Sequence, residues 1–269
     1  MKRRRESNEL PQVFRAHIIG AGPRVVLLHG GPGLDHHVLL PFAEQLAAHY
    51  EVWLPDLPGH GARASKRRAP SLSETLTKLE RGLAGMGGAL DVLAGHSLGA
   101  LLARELVRRG AVRPKANVWI APPAGDRERA TLAWPRVRRE RRMTTDAMRQ
   151  ALLAEIAHET GRPPTARFVD AVTHCQVRAP QEHEALLKQL SLLLSKPTPR
   201  CRTTDPVLVI SGERDGVVTP HQASCVASAT PGAELVVVPG AGHVPAAVEG
   251  DDTAERVHAF LSAALQVRR

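Results

Sequence analysis

The sequence predicts an α/β fold in which helices cover both faces of a mostly parallel β-sheet. Short runs of β-branched and aliphatic residues alternate along the chain with longer segments whose apolar residues recur at helical spacing. The short runs are nearly continuous in apolar residues, as expected for strands that are buried on both faces. The 269 residues are enough to bury a full hydrophobic core.

Six strands and five helices are predicted outside residues 122–204. The strands are predicted at 24–28, 51–54, 91–94, 117–121, 206–211 and 234–238, and the helices at 38–48, 72–84, 98–109, 220–229 and 252–265. An earlier extended piece near Val13 to Ile19 is expected to form an edge hairpin with the first of these strands.

The alternation of strands and helices stops in residues 122–204. This interval contains amphipathic helical segments, for example at 144–159 and 182–194, but no good strand, and prolines punctuate it. We therefore expect a helical cap here, inserted into a core made of residues 10–121 and 205–269.

Composition and charge narrow the class of protein. The basic N-terminal stretch is followed by no apolar run, and no segment approaches the roughly 20 apolar residues of a membrane span, so we expect a cytoplasmic protein. The three cysteines lie far apart, which argues against a disulfide framework and against a zinc site. The net charge of +9 is spread along the chain without interleaved aromatic residues, which argues against nucleic-acid binding.

The segment GHSLG (95–99) places Ser97 between two glycines, after a predicted strand and before a predicted helix. The pattern G-x-S-x-G marks a tight strand-to-helix turn that strains the serine backbone and exposes its hydroxyl. The alternative is a glycine-rich helix start in which Ser97 is only an N-cap. The surrounding strand and helix favour Ser97 as a nucleophile.

Two downstream turns carry groups that could activate this serine. Asp215 follows one predicted strand in GERDGVV, and His243 follows the next in GAGH. A serine hydroxyl needs a base to accept its proton, and that base needs an acid to fix its tautomer. We therefore predict a catalytic triad of Ser97, His243 and Asp215.

A glycine-rich loop follows the first predicted strand directly, in LLHGGPG (27–33). Acyl transfer needs N–H donors aimed at the developing oxyanion, and backbone N–H groups in such turns provide them. We expect the N–H groups of Gly31 and Leu98 to form this oxyanion hole.

Through HGGPG, PDLPGHG, GHSLG, GERD and GAGH, the chain resembles the α/β-hydrolase superfamily of serine hydrolases. The resemblance implies the α/β-hydrolase fold, with a mostly parallel eight-stranded sheet, helices on both faces and an inserted helical cap. It implies the same triad roles for Ser97, Asp215 and His243. Some members take the acid from the loop after the sixth strand, where this chain has Asp126.

Within that superfamily, a serine nucleophile excludes the dehalogenase and epoxide-hydrolase patterns, which use aspartate at that position. We therefore expect an enzyme of carboxylesterase type that cleaves a small or medium acyl ester or thioester, and no metal, nucleotide or other cofactor motif is visible. The candidate substrate-binding residues are His96, Trp134, Met148 and Phe168. The last three are alternatively cap core, which is the commoner case for such residues.

Several alternatives stay open at this point. HGGPG resembles the loop of proline iminopeptidases, although those enzymes usually have tryptophan where this chain has Leu98. The run GHSLGALLARELVRRG looks like the elbow of type II thioesterases, and residues 122–200 hold 14 Lys and Arg against 9 Asp and Glu. An acidic carrier protein is thus a candidate partner besides a small-molecule acyl substrate. A non-catalytic ligand-binding protein of hydrolase fold and a C–C bond lyase or hydrolase are further alternatives.

Overall fold

The computed structural model describes residues 16–64, 70–86, 90–125, 144–177 and 183–266. The strands in these ranges are β1 (Ala16–Gly20), β2 (Arg24–Leu28), β3 (Glu51–Pro55), β4 (Val92–His96), β5 (Ala116–Ile120), β6 (Val207–Gly212) and β7 (Ala233–Val238). The α-helices are α1 (Leu40–Leu46), α2 (Leu72–Ala84), α3 (Leu98–Arg108), α4 (Thr145–Thr160), α5 (Ala166–His174), α6 (Glu184–Leu194), α7 (Pro220–Ser228) and α8 (Thr253–Gln266). Short 3₁₀ turns occupy His36–Leu39 and Gly61–Arg63. None of these helices is both long and apolar enough to cross a bilayer.

The strands form one sheet in the order β1-β3-β2-β4-β5-β6-β7. Strand β1 runs antiparallel to β3, and every other neighbouring pair is parallel. The predicted α/β fold with a mostly parallel sheet is therefore confirmed. The described part of the chain contributes seven strands, against the eight that the resemblance implies.

Two expectations about the edges of the sheet are wrong. Strand β1 pairs with β3 and not with β2, because both edges of β2 are already occupied by β3 and β4. Strand β7 is not buried on both faces: it lies at the other edge of the sheet, and Leu235 and Val237 are 37% and 40% exposed. An apolar run alone does not distinguish a central strand from an edge strand.

Helices pack on both faces of the sheet, as predicted. One face is covered by α1 and α8, with Phe42 and Leu261 fully buried against the strands. The other face is covered by α2, α3 and α7, whose buried side chains include Leu79, Leu102 and Val226. The carboxyl ends of the six parallel strands therefore meet at one edge of a sheet that is covered on both sides.

The segment between β5 and β6 folds into α4, α5 and α6, and its described residues form no strand beyond a single bridge from Pro164 to Val248. Threonine side chains cap the N-termini of α4 and α5, and Gly161 ends α4 in the left-handed conformation. The helical spacing of apolar residues predicted α4 and α6 but not α5. The division into a core of 10–121 and 205–269 and a cap of 122–204 stays a prediction.

Candidate active site

Ser97 occupies the tight turn between β4 and α3. Its backbone lies at φ 51° and ψ −116°, a conformation that non-glycine residues adopt only when the surrounding structure enforces it. The N–H of Ser97 donates to the Ile120 carbonyl at 2.9 Å. A Cβ atom on Gly99 would overlap the Leu28 carbonyl, and one on Gly95 would overlap Gly99 itself. The two glycines of the motif are therefore required by the close approach of α3 to the sheet.

Asp215 and His243 come together beyond the carboxyl ends of β6 and β7. His243 Nδ1 lies 2.9 Å from Asp215 Oδ2, and the side chains are 13% and 0% exposed. The other oxygen of Asp215 accepts the N–H groups of Val217 and Val218 at 2.9 and 2.7 Å. Because these two donors fix the carboxylate, its remaining oxygen is directed at the imidazole.

His96 connects the histidine loop to the serine turn. Its Nε2–H donates to the His243 carbonyl at 2.8 Å, and the two rings lie 4.7 Å apart. His96 directly precedes Ser97, so this contact places the His243 loop beside the elbow. Burial, together with the nearby His243, lowers the pKa of His96 well below its ordinary value, which favours the neutral ring. The substrate-binding role of His96 stays a prediction.

The glycine-rich loop after β2 also lies beside Ser97. A Cβ atom on Gly30 would lie 3.2 Å from Cβ of Ser97, so the loop backbone passes directly against the serine. His29 holds this loop, since its Nδ1–H donates to the Gly30 carbonyl at 2.7 Å and its Nε2 accepts the Leu57 N–H at 2.9 Å. Both His29 and His96 therefore bond to backbone groups.

The N–H groups predicted for the oxyanion hole belong to the two segments that flank the elbow. Gly31 adopts φ +144° in the loop after β2, and Leu98 is the first residue of α3. Unpaired N–H groups at the start of a helix favour negative charge. The hole itself stays a prediction.

Asp56, which follows β3, has a structural role. Its carboxylate accepts the backbone N–H groups of His36 and Ala62, at 3.2 and 2.8 Å, and contacts His36 Nδ1 at 2.7 Å. Burial alone would raise the pKa of Asp56, but the hydrogen bond and charge of His36 outweigh it and the net shift is downward.

The candidate substrate-binding residues of the inserted segment differ in their surroundings. Phe168 is fully buried in a cluster with Ile156, Val172 and residues that follow His243, which is the environment of a core residue. Met148 is partly buried against the main core. Trp134 and the alternative acid Asp126 lie outside the described residues.

One group of side chains in the described residues offers ligand atoms close enough for a metal ion. Asp35, His36 and His37 have donor atoms within 4.8 Å of one another. However, Asp35 already accepts the N–H groups of His37 and Gln176, and Nδ1 of His36 is engaged by Asp56. These contacts give Asp35 a structural role in holding the turn after the glycine-rich loop.

One polar residue at the site was not identified from the sequence. Glu159, near the end of α4, accepts the His243 N–H at 3.1 Å and the Gly216 N–H at 3.0 Å. No motif surrounds it, and its partners lie 84 and 57 positions away along the chain. Its contact depends on how α4 packs over the sheet, which periodicity does not specify.

A parallel sheet that brings a strained serine turn, an acid loop and a histidine loop to one edge defines an α/β hydrolase. Residues 25–258 match the model of the Alpha/beta hydrolase family, and the chain belongs to that family. It is accordingly an enzyme of the hydrolase class.

Similarity to individual proteins extends over nearly the whole chain. Pimeloyl-[acyl-carrier protein] methyl ester esterase of Xanthomonas campestris pv. campestris (strain B100) is 30% identical over 266 residues, covering 91% of this chain and 98% of the relative. A thermophilic esterase from Thermogutta terrifontis has a TM-score of 0.65 at 22% identity, over 93% of both chains. The enol-lactonase from Burkholderia xenovorans LB400 also has a TM-score of 0.65 at 22% identity, over 93% of this chain and 94% of the other. The two structures show a shared fold.

Proposed function

We propose that this protein is an esterase that uses Ser97 as nucleophile, His243 as general base and acid, and Asp215 to fix the tautomer of His243. The observation that carries the proposal is the 2.9 Å contact between His243 Nδ1 and Asp215 Oδ2, beside a serine whose backbone lies at φ 51°. The esterase activity named for the Xanthomonas relative supports the same reaction class.

In the first half of the reaction, the Ser97 hydroxyl attacks the substrate carbonyl and transfers its proton to Nε2 of His243. The Nδ1–H of the resulting imidazolium donates to Asp215, which stabilises the positive charge. The N–H groups of Gly31 and Leu98 receive the oxyanion of the tetrahedral intermediate. His243 then gives its proton to the leaving alcohol, and an acyl-enzyme ester remains on Ser97.

In the second half, water takes the place of the alcohol. His243 accepts a proton from water as the hydroxide equivalent attacks the acyl carbonyl, and the second intermediate collapses with return of the proton to Ser97 Oγ. The products are one carboxylic acid and one alcohol. The same groups act on a thioester, with a thiol as the leaving group.

The proposed substrate is an ester or thioester of a small or medium acyl group, which is either free or attached to an acidic carrier protein. The Xanthomonas relative is named for a methyl ester whose acyl group is attached to acyl-carrier protein. Residues 122–200 contain 14 basic and 9 acidic residues, and the resulting positive charge would attract such a carrier. A carrier-bound methyl ester should therefore be hydrolysed faster than the free acyl methyl ester, and the difference should shrink as salt screens the charges.

The proposal is tested with p-nitrophenyl esters of several acyl lengths, a methyl ester and an amino-acid arylamide. The unchanged protein should hydrolyse the esters, and Ser97→Ala should lose several orders of magnitude in kcat. Ser228→Ala, on the exposed side of α7, is the matched control and should keep full activity. Equal rates for the unchanged protein and Ser97→Ala would reject Ser97 as the nucleophile, and cleavage confined to the arylamide would favour a peptidase.

A further inference from the structure

The end of helix α4 connects the inserted helices to both loops that carry the proposed acid and base. Glu159 uses one oxygen for each loop: Oε2 accepts the His243 N–H at 3.1 Å, and Oε1 accepts the Gly216 N–H at 3.0 Å. Gly216 directly follows Asp215. A single carboxylate from outside the sheet therefore bridges the backbones on which Asp215 and His243 are placed.

The surrounding contacts hold the end of α4 in this position. Arg162 donates to the Gly240 carbonyl at 2.8 Å, and Arg214 donates to the Thr160 carbonyl. A Cβ atom on Gly242 would lie only 3.0 Å from Glu159 Oε2, so the histidine loop has no room for a side chain at that point. The approach of α4 to the loops is therefore close and fixed by several independent hydrogen bonds.

The chemistry of Glu159 suits this bridge. Both oxygens accept hydrogen bonds from N–H groups, a pattern that the carboxylate satisfies and a neutral carboxylic acid does not fully satisfy. Burial, with a contribution from the nearby negative charge of Asp215, raises the pKa of Glu159 above its ordinary value. The nearby charged or titratable groups are Asp215 and His243 on the two loops, with Arg214 and Arg162 at the edge of the contact.

We propose that Glu159 is a positioning residue, which fixes the placement of Asp215 relative to His243. This placement then depends on how α4 packs against the two loops. The inference rests on the proposed Ser97–His243–Asp215 mechanism. It assigns Glu159 no contact with substrate, so its loss should lower kcat far more than it changes KM.

Three substitutions separate the charge of Glu159 from its geometry. Glu159→Ala removes both acceptors and should lower kcat by about ten- to a hundredfold, because small displacements of catalytic groups have effects of that size. Glu159→Gln keeps one acceptor and removes the negative charge, so the acid limb of the kcat/KM profile should move to lower pH because the imidazolium loses stabilisation. Glu159→Asp keeps the charge and should leave this limb near its original pH.

Glu44→Gln is the matched control for a merely structural contact. Glu44 on α1 also joins the core to an inserted helix, through bonds of 2.8 and 2.6 Å to Arg167, and its carboxylate bonds to neither catalytic loop. This variant should leave kcat and the pH profile unchanged. Thermal unfolding of each variant identifies any loss of fold, and Glu159→Gln carries the test if Glu159→Ala does not fold.

A second readout does not depend on turnover. A histidine Nδ1–H that donates to a carboxylate gives a far-downfield proton NMR signal, assigned here by its absence in His243→Gln. In Glu159→Gln this signal should titrate at lower pH than in the unchanged protein. The inference is overturned if Glu159→Gln titrates as the unchanged protein does and a folded Glu159→Ala retains its kcat. If no ester is hydrolysed, the proposed function fails while the NMR titration still decides the role of Glu159.

Discussion

Replacing Asp215 by asparagine should remove most of the esterase activity and leave the fold intact. One oxygen of Asp215 accepts two backbone N–H groups, from Val217 and Val218, and the other contacts His243 Nδ1. In Asp215→Asn the two N–H groups require an acceptor, so the amide oxygen should stay with them. The amide NH₂ then faces His243 and needs an acceptor there.

His243 should respond by moving its proton from Nδ1 to Nε2. In that tautomer Nε2 carries a hydrogen and is no longer able to accept the proton of Ser97, and a serine hydrolase with this defect loses about 10⁴-fold in kcat. Stability should change little, because the loop keeps its two hydrogen bonds. Asp215→Ala should instead destabilise the fold by about 1–3 kcal/mol for each N–H group that loses its acceptor.

The assay combines kcat for a p-nitrophenyl ester with unfolding in urea, for Asp215→Asn, Asp215→Ala and Asp126→Asn. Asp126→Asn changes the alternative acid, and this variant should be as active as the unchanged protein. If Asp215→Asn stays within about tenfold of the unchanged protein, a change of about 1.4 kcal/mol in activation free energy, then Asp215 does not orient the base. A large loss in Asp126→Asn alone would transfer the role of the acid to that residue.

Three further substitutions test the packing around the site. Gly99→Ala should destabilise the protein and lower its activity together, because the added Cβ would overlap the Leu28 carbonyl; unchanged stability in a thermal scan would contradict the account of the elbow. Burial alone would raise the pKa of Asp35, but its hydrogen bonds hold this pKa well below its ordinary value. The Asp35 carboxylate therefore stabilises the fold above the unfolded pKa near 4, and this stabilisation is lost as the pH falls. The difference in unfolding free energy between the unchanged protein and Asp35→Ala should therefore be about 2–4 kcal/mol at pH 7, from a lost cap and the unsatisfied Gln176 N–H, and should shrink below about pH 4 in urea titrations. Phe168→Ala should cost about 3–5 kcal/mol of stability as a core residue and leave the preference for acyl length unchanged; a shifted preference would place Phe168 in the acyl site instead.

The strands and helices could be predicted closely because their signals are local. The run 24–28 is strand β2 and the segment 72–84 is helix α2 with the same limits, the latter fixed by the Ser71 capping box. The pairing of β1 could not be predicted in the same way. Which edge is open to β1 depends on the order of the whole sheet, and no apolar run encodes that order.

The site shows the same division between local and distant signals. Ser97, Asp215 and His243 lie in turns directly after strands, and the geometry of parallel strands brings such turns to one edge. Glu159 sits near the end of a predicted helical segment, where no catalytic motif marks it. Its role follows from the packing of α4 against two loops distant in sequence, so only the folded structure identifies it.

Covalent labelling of Ser97 tests the central claim most directly. A fluorophosphonate probe followed by peptide mass spectrometry should place one adduct per chain on Ser97, and His243→Gln should label far more slowly, because the hydroxyl would lack its base. Labelling at another residue, or equal labelling rates in the unchanged protein and His243→Gln, would contradict the account.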